Sequence, residues 1–135
     1  MTTAASAEET AKITPYDLIG GEATVRRLAD RFYEIMDTDP GAARIRAMHD
    51  ENLGPIRKLL FEFLSDWLGG PPLYFQRSDR RCIMSAHRPY AIGEAERDAW
   101  MMCMRRAMDD CALTGEMRAA MDQAFGRMAD MFRNR

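Results

Sequence analysis

The 135-residue sequence lacks the features that mark a membrane-spanning or exported protein. No apolar run approaches the roughly 20 residues of a transmembrane helix. The first residues, MTTAASAEETAK, lack the basic-then-apolar order of a signal peptide. Cysteine is also scarce, with three residues and no CxxC pair. We therefore expect a cytoplasmic protein whose cysteines are free thiols.

The sequence also has no large excess of positive or negative charge. The 19 basic and 21 acidic residues are interspersed and sum to −2, so we expect neither nucleic acid nor a membrane as a partner. The sequence has no HExxH or CxxC…H pattern for zinc and no GxSxG motif for a serine triad. The run WMMCM at 100–104 does not predict a copper site, because consecutive helical residues point in different directions.

Apolar residues at helical spacing are present in almost the whole remaining chain, and no segment alternates as a strand would. Residues 1–13 are small and polar, which predicts a flexible tail before a single domain at 14–135. We predict an all-α fold that begins with a short helix between Thr14 and the glycine pair Gly20–Gly21. Six further helices are predicted, at about 22–37, 41–47, 52–68, 80–87, 94–112 and 116–133.

An irregular connection, PPLYFQRSDRR at 71–81, leads to His87, one of only two histidines. Connections of this length are uncommon in small domains unless they are functional. Ile83 and Met84 precede His87 by four and three residues, so the histidine shares their apolar face. A histidine at a helix end is commonly a cap or a partly buried polar residue. A single imidazole on an apolar wall is also the axial ligand that haem iron needs.

Three segments closely resemble the group II truncated haemoglobins: RFYEIMDTDP (31–40), FLSDWLGGPPLY (63–74) and AHRPYAIGEAERDAW (86–100). The resemblance extends from about Tyr16 to Arg133. It implies a two-over-two helical sandwich that holds haem b, with His87 as the proximal ligand of the iron. Because a metal-bound histidine usually donates through its other ring nitrogen, we expect His87 to contact the backbone carbonyl of Ile83.

The same resemblance assigns residues to the distal side of the haem, where a gas would bind. It places Tyr33 and Trp100 there as hydrogen-bond donors, with His49 as a third candidate. Ile56 falls where globins have a distal polar residue, and it cannot donate. Each polar residue also has an interpretation without haem: a tyrosine at a core edge, a core tryptophan and a surface-loop histidine. A buried indole N–H nonetheless needs an acceptor, which haem-bound oxygen provides.

The resemblance also implies contacts with the haem itself. We assign to its walls and edge Leu60, Phe63, Tyr74, Arg81, Tyr90, Ile92 and Trp100. Many relatives carry a basic residue where this chain has Ala86 and Leu59, so the partners of the haem propionates are open. The nearby basic residues are Lys58, Arg80, Arg81 and Arg88.

Two distal donors predict that oxygen is held tightly. A hydrogen bond to a charged group contributes roughly 1.5–3 kcal/mol, so two donors slow release by about 10² or more. We expect a haem protein that binds dioxygen and other diatomic gases (NO, CO) for scavenging, sensing or redox chemistry, and a poor agent of oxygen transport. The alternatives are a peroxidase or nitric-oxide dioxygenase served by an external electron donor, and a haem-free helical interaction module. Both a monomer and a homodimer are open.

Overall fold

The computed structural model describes residues 13–135, and within that range it contains helices, turns and loops but no strand. The predicted all-α fold is confirmed, while the predicted tail lies outside the described residues except for Ile13. A 3-10 turn at Pro40–Ala42 accompanies the α-helices, which are α1 (Pro15–Ile19), α2 (Gly21–Thr38), α3 (Ala43–Arg46), α4 (Gly54–Trp67), α5 (Ile83–His87), α6 (Glu94–Asp110) and α7 (Gly115–Met131). None of these helices is long and apolar enough to cross a membrane.

The first helix is bounded by residues that suit its two ends. The hydroxyl of Thr14 accepts a hydrogen bond from the backbone N–H of Asp17 at 3.3 Å, which caps the helix. Gly20 ends it with a φ of 118°, a left-handed conformation that glycine adopts without strain. At the far end of α4, a Cβ on Gly70 would collide with the ring of Tyr16. The absence of that Cβ lets α1 pack directly against the end of α4.

The core is built around α2, which packs against both α4 and α6. One face of α2 is buried along its length, through Val25, Leu28, Ala29, Phe32, Tyr33, Ile35 and Met36. Helix α7 packs on α6, and Phe125 of α7 stacks on Trp67 of α4 with ring centroids 4.7 Å apart. Full burial of a large apolar side chain contributes about 1.5–3 kcal/mol, so these four long helices form a stable frame.

Two of the short helices differ from their predictions. The helix predicted at 41–47 is divided into the 3-10 turn and α3. The helix predicted at 80–87 begins only at Ile83. The hydroxyl of Tyr74 donates to the backbone carbonyl of Arg81 at 2.5 Å, which ties Arg81 to the connection that precedes the helix. The irregular connection is therefore longer than predicted.

Candidate functional site: a cavity between two histidines

A cavity of about 440 Å³ lies between α2, α4, α5, α6 and α7, and most of its lining side chains are apolar. Its volume is typical of sites that enclose an organic ligand. The structure brings all of the predicted site residues to this one cavity: Tyr33, His49, Ile56, Leu60, Phe63, Tyr74, Arg81, His87, Tyr90, Ile92 and Trp100. Their roles toward a haem remain predictions.

His87 lies at the end of α5, with its ring partly buried in the cavity wall. Its Nδ1 is 2.7 Å from the backbone carbonyl oxygen of Ile83, the contact expected from the sequence. Since a carbonyl can only accept, Nδ1 carries the hydrogen and Nε2 keeps its lone pair in the neutral ring. The imidazole also stacks on Phe132, with ring centroids 4.0 Å apart and planes 5° from parallel. The hydrogen bond and the stack thus give the His87 ring a defined orientation, with Nε2 outside both contacts.

His49 has the same local arrangement on another wall of the cavity. Its Nδ1 is 2.8 Å from the backbone carbonyl oxygen of Ile45, so Nε2 is again the free nitrogen. Burial lowers the pKa of His49, which favours the neutral ring. A neutral His49 in this tautomer accepts a hydrogen bond at Nε2 and does not donate one. In this tautomer His49 would act on a distal ligand as an acceptor, and its place on the distal side stays a prediction.

Tyr33 and Trp100 present polar hydrogens to this cavity. Tyr33 is only 6% exposed, and burial raises the pKa of its phenol, which keeps the hydroxyl protonated. Within residues 13–135 neither the Tyr33 hydroxyl nor the Trp100 indole N–H forms a hydrogen bond. In that range Arg57 Nε is the only fully enclosed side-chain nitrogen or oxygen without a partner, so neither of these two groups is fully enclosed. Both groups therefore face open space, and the space that both residues border is the cavity.

The indole of Trp100 is held by aromatic neighbours from two helices. Its ring centroid lies 5.2 Å from that of Phe32 and 5.8 Å from that of Phe125, both in tilted or edge contacts. Such pairs contribute about 0.5–1.5 kcal/mol beyond the burial of their area. Tyr33 is in edge contact with both Phe32 and His49. The rings of Tyr33 and Trp100 are thus held by the packing of the core.

The basic residues considered as partners of the haem propionates lie at two different places. Arg80 and Arg81 line it, whereas Lys58 borders a different hollow beside Tyr16. Arg77 also lines the cavity, and it forms ion pairs with Glu62 of α4 at 2.5 Å and with Asp79 at 3.0 Å. Sequence reasoning missed Arg77, since nothing in its local pattern distinguishes it from other surface arginines. Its ion pairs attach the irregular connection to α4.

The two histidines of the cavity leave their Nε2 atoms free, but these side chains cannot enclose a metal ion alone. The described residues contain no group of three or more His, Cys, Asp and Glu side chains that could hold a metal. A porphyrin would supply the further nitrogen ligands that an iron held by His87 Nε2 needs. The large apolar lining suits the faces of such a macrocycle, so the residues present fit a haem.

Comparison with known proteins gives one consistent result. The family model for bacterial-like globins matches residues 14–134. The group 2 truncated hemoglobin YjbI of Bacillus subtilis is 34% identical over 114 residues, which are 84% of this chain and 81% of that protein. The cold-adapted truncated hemoglobin of Pseudoalteromonas haloplanktis TAC125 superposes with a TM-score of 0.86 at 39% identity, covering 91% of this chain and 99% of that one. The group II 2-on-2 hemoglobin of Agrobacterium tumefaciens gives 0.85 at 41% identity, covering 90% and 95%.

Proposed function

The chain belongs to the bacterial-like globin family as a group II truncated haemoglobin, and from this premise we propose that it is a haem b protein that binds dioxygen and other diatomic gases. The observation that carries the proposal is the convergence of three groups on one cavity. These are the Nε2 lone pair of His87, the hydroxyl of Tyr33 and the indole N–H of Trp100. The first suits a metal, and the other two suit a small ligand with negative partial charge.

On the proximal side, His87 would hold the haem. Its hydrogen bond to Ile83 makes Nε2 the only ring nitrogen available to a metal and increases its basicity. When bound, the haem supplies the iron on which a diatomic gas binds. Leu60 and Phe63 of α4 would form part of the apolar wall against the haem. Arg80 and Arg81, which also line the cavity, are the basic residues available to the propionates.

On the distal side, Tyr33 and Trp100 would hold the gas. Each donated hydrogen bond contributes roughly 1.5–3 kcal/mol when the acceptor carries charge. Both donors are fixed by core packing, so no reorganisation is needed when the ligand arrives. This arrangement favours slow release, and hence scavenging, sensing or redox chemistry over oxygen transport.

One observation favours an enzymatic role as the second candidate. The neutral His49 offers an acceptor nitrogen in the same cavity, and a peroxidase needs such a group to take a proton from peroxide. A peroxidase or a nitric-oxide dioxygenase would draw its electrons from an external donor. The proposal also includes a cytoplasmic location, which the three unpaired cysteines support.

The proposed function is tested by adding haem to the purified protein. We expect one haem per chain with a Soret band typical of histidine ligation, followed by slow oxygen release in stopped-flow measurements. Turnover of peroxide or nitric oxide with an added reductant would favour the enzymatic role. Failure to bind haem would contradict both and favour a haem-free interaction module.

A further inference from the structure

One face of the His87 imidazole is covered by a residue near the C-terminal end of the described chain. Phe132, directly after α7, stacks on one face of the ring, with centroids 4.0 Å apart and planes 5° from parallel. Helix α5, which carries His87, has only five residues and none of them is buried. Within the described residues, Phe132 is the aromatic side chain that pairs with this ring.

Two contacts together define the orientation of this imidazole. The hydrogen bond from Nδ1 to Ile83 fixes the direction of the ring edge, and the parallel contact with Phe132 fixes the plane. Lone pairs of imidazole nitrogens lie in the plane of the ring. A stack on the face therefore leaves Nε2 uncovered, and rotation about the Cβ–Cγ bond requires both contacts to break.

The position of Phe132 is itself fixed by hydrogen bonds around Asn134. The backbone N–H of Asn134 donates to the carbonyl of Ile92 at 2.8 Å, and its side-chain amide donates to the carbonyl of Tyr90 at 2.7 Å. The amide oxygen of Asn134 accepts from the backbone N–H of Ile92 at 2.9 Å. We call these three bonds the Asn134 clasp. It joins the segment after α7 to the corner that follows His87.

We propose that Phe132, held by the Asn134 clasp, is a positioning residue that sets the plane of the His87 imidazole and thereby the strength of the proximal bond. Phe132 also lines the cavity, but the role proposed for it is exerted through His87. This inference rests on the proposed function, in which His87 binds the haem iron. A ring released from the stack samples other planes, so the bond to iron weakens and haem leaves faster.

The test uses the haem-loaded protein and two substitutions of Phe132. Phe132→Leu removes the aromatic ring and keeps an apolar side chain, whereas Phe132→Tyr keeps the ring. We expect Phe132→Leu to lower or broaden the iron–histidine stretching band in resonance Raman spectra of the ferrous protein. Haem transfer to an excess of apomyoglobin should become about two- to tenfold faster, as expected for the loss of one aromatic pair. Phe132→Tyr should restore both readouts.

A matched control separates positioning from general loss of packing. Phe61→Leu removes a phenyl ring that is 6% exposed and does not line the cavity, so neither readout should change. Asn134→Ala removes the two side-chain bonds of the clasp and leaves Phe132 intact, and it should shift both readouts in the same direction as Phe132→Leu. An unchanged band and rate in Phe132→Leu would overturn the inference, as would equal changes in Phe61→Leu.

A measurement without haem distinguishes failure of this inference from failure of the proposed function. In the haem-free protein, the stack predicts an upfield ring-current shift of the His87 carbon-bound protons in NMR spectra. Phe132→Leu should abolish that shift and Phe132→Tyr should retain it. If the wild type shows the shift but binds no haem, the proposed function is wrong. If it binds haem but shows no shift, the role of Phe132 is wrong.

Discussion

The sides of the cavity that we propose as distal and proximal are built in different ways. Tyr33 lies in the eighteen-residue α2, whose inner face is buried along its length. Trp100 lies in the seventeen-residue α6 between Phe32 and Phe125. His87, in contrast, ends a five-residue helix with no buried residue. It is reached through the irregular connection and is held by one hydrogen bond and one stacked ring.

This difference determines how each side responds to substitution. Tyr33 and Trp100, the proposed distal donors, cannot move without disturbing the main core, so their geometry is as stable as the fold. The proximal helix is held by few contacts, and such elements open at a lower free energy than the core. The proximal side is therefore the part of the site that substitutions can adjust without unfolding the protein.

The largest expected effect is the loss of the proximal ligand. His87→Ala should abolish stable haem binding, because the described residues offer no second nitrogen ligand on that side. His49→Ala is the matched control and should keep a full haem complement. Absorption spectra after haem addition measure both. A normal Soret band and full haem content in His87→Ala would show that the proximal assignment is wrong.

Removal of a distal donor should have a smaller and more selective effect. Trp100→Phe removes the indole N–H but keeps most of the apolar volume. The loss of roughly 1.5–3 kcal/mol should appear as oxygen dissociation that is about tenfold to a hundredfold faster. Stopped-flow release from the ferrous protein is the measurement. Equal rates in variant and wild type would reduce Trp100 to a packing residue and leave Tyr33 as the main donor.

The second tryptophan provides the control for this prediction. Trp67 also packs against Phe125, with centroids 4.7 Å apart, but it does not line the cavity. Trp67→Phe therefore disturbs the same aromatic cluster without removing a distal donor. Its oxygen dissociation rate should match that of the wild type.

The half-buried His49 predicts a modest dependence of stability on pH. Burial holds the pKa of His49 below its ordinary value, so the unfolded chain binds a proton at a pH where the folded protein does not. Stability should be greatest above about pH 6.5, the ordinary histidine value, and should fall as the pH drops below it, by less than about 1.4 kcal/mol per pH unit. Urea unfolding of the wild type and His49→Phe at pH 7.5 and 5.5 measures this. An identical fall in both proteins would contradict the prediction.

The reactivity of the cysteine thiols allows a comparison of the two regions that does not depend on gas binding. Cys82 is exposed at the start of α5, and hydrogen bonds from Ser85 and Met84 lower its pKa. Burial raises the pKa of Cys103 in the core to about 11. A disulfide reagent at neutral pH should label Cys82 at least roughly a hundredfold faster than Cys103. After unfolding without reductant all three cysteines should react, and a single reactive thiol would indicate a disulfide.

The four long helices were predictable because each is determined by its own residues. The ends of α2, α4, α6 and α7 lie within two residues of those expected from the apolar spacing and the flanking glycines. The start of α5 was not predictable in this way. Directly before this helix the hydroxyl of Tyr74 bonds to the carbonyl of Arg81, and nothing in the local pattern of residues 80–87 indicates that contact.

The same distinction applies to the site. The sequence alone determined the contact between His87 and Ile83, because residues four apart on a helix meet through local geometry. Only the tertiary structure decided that Phe132 covers the face of His87 and that Arg77 lines the cavity. Such contacts join segments far apart in the chain. Their geometry follows from how the helices pack, and that packing leaves no periodic signal in either segment.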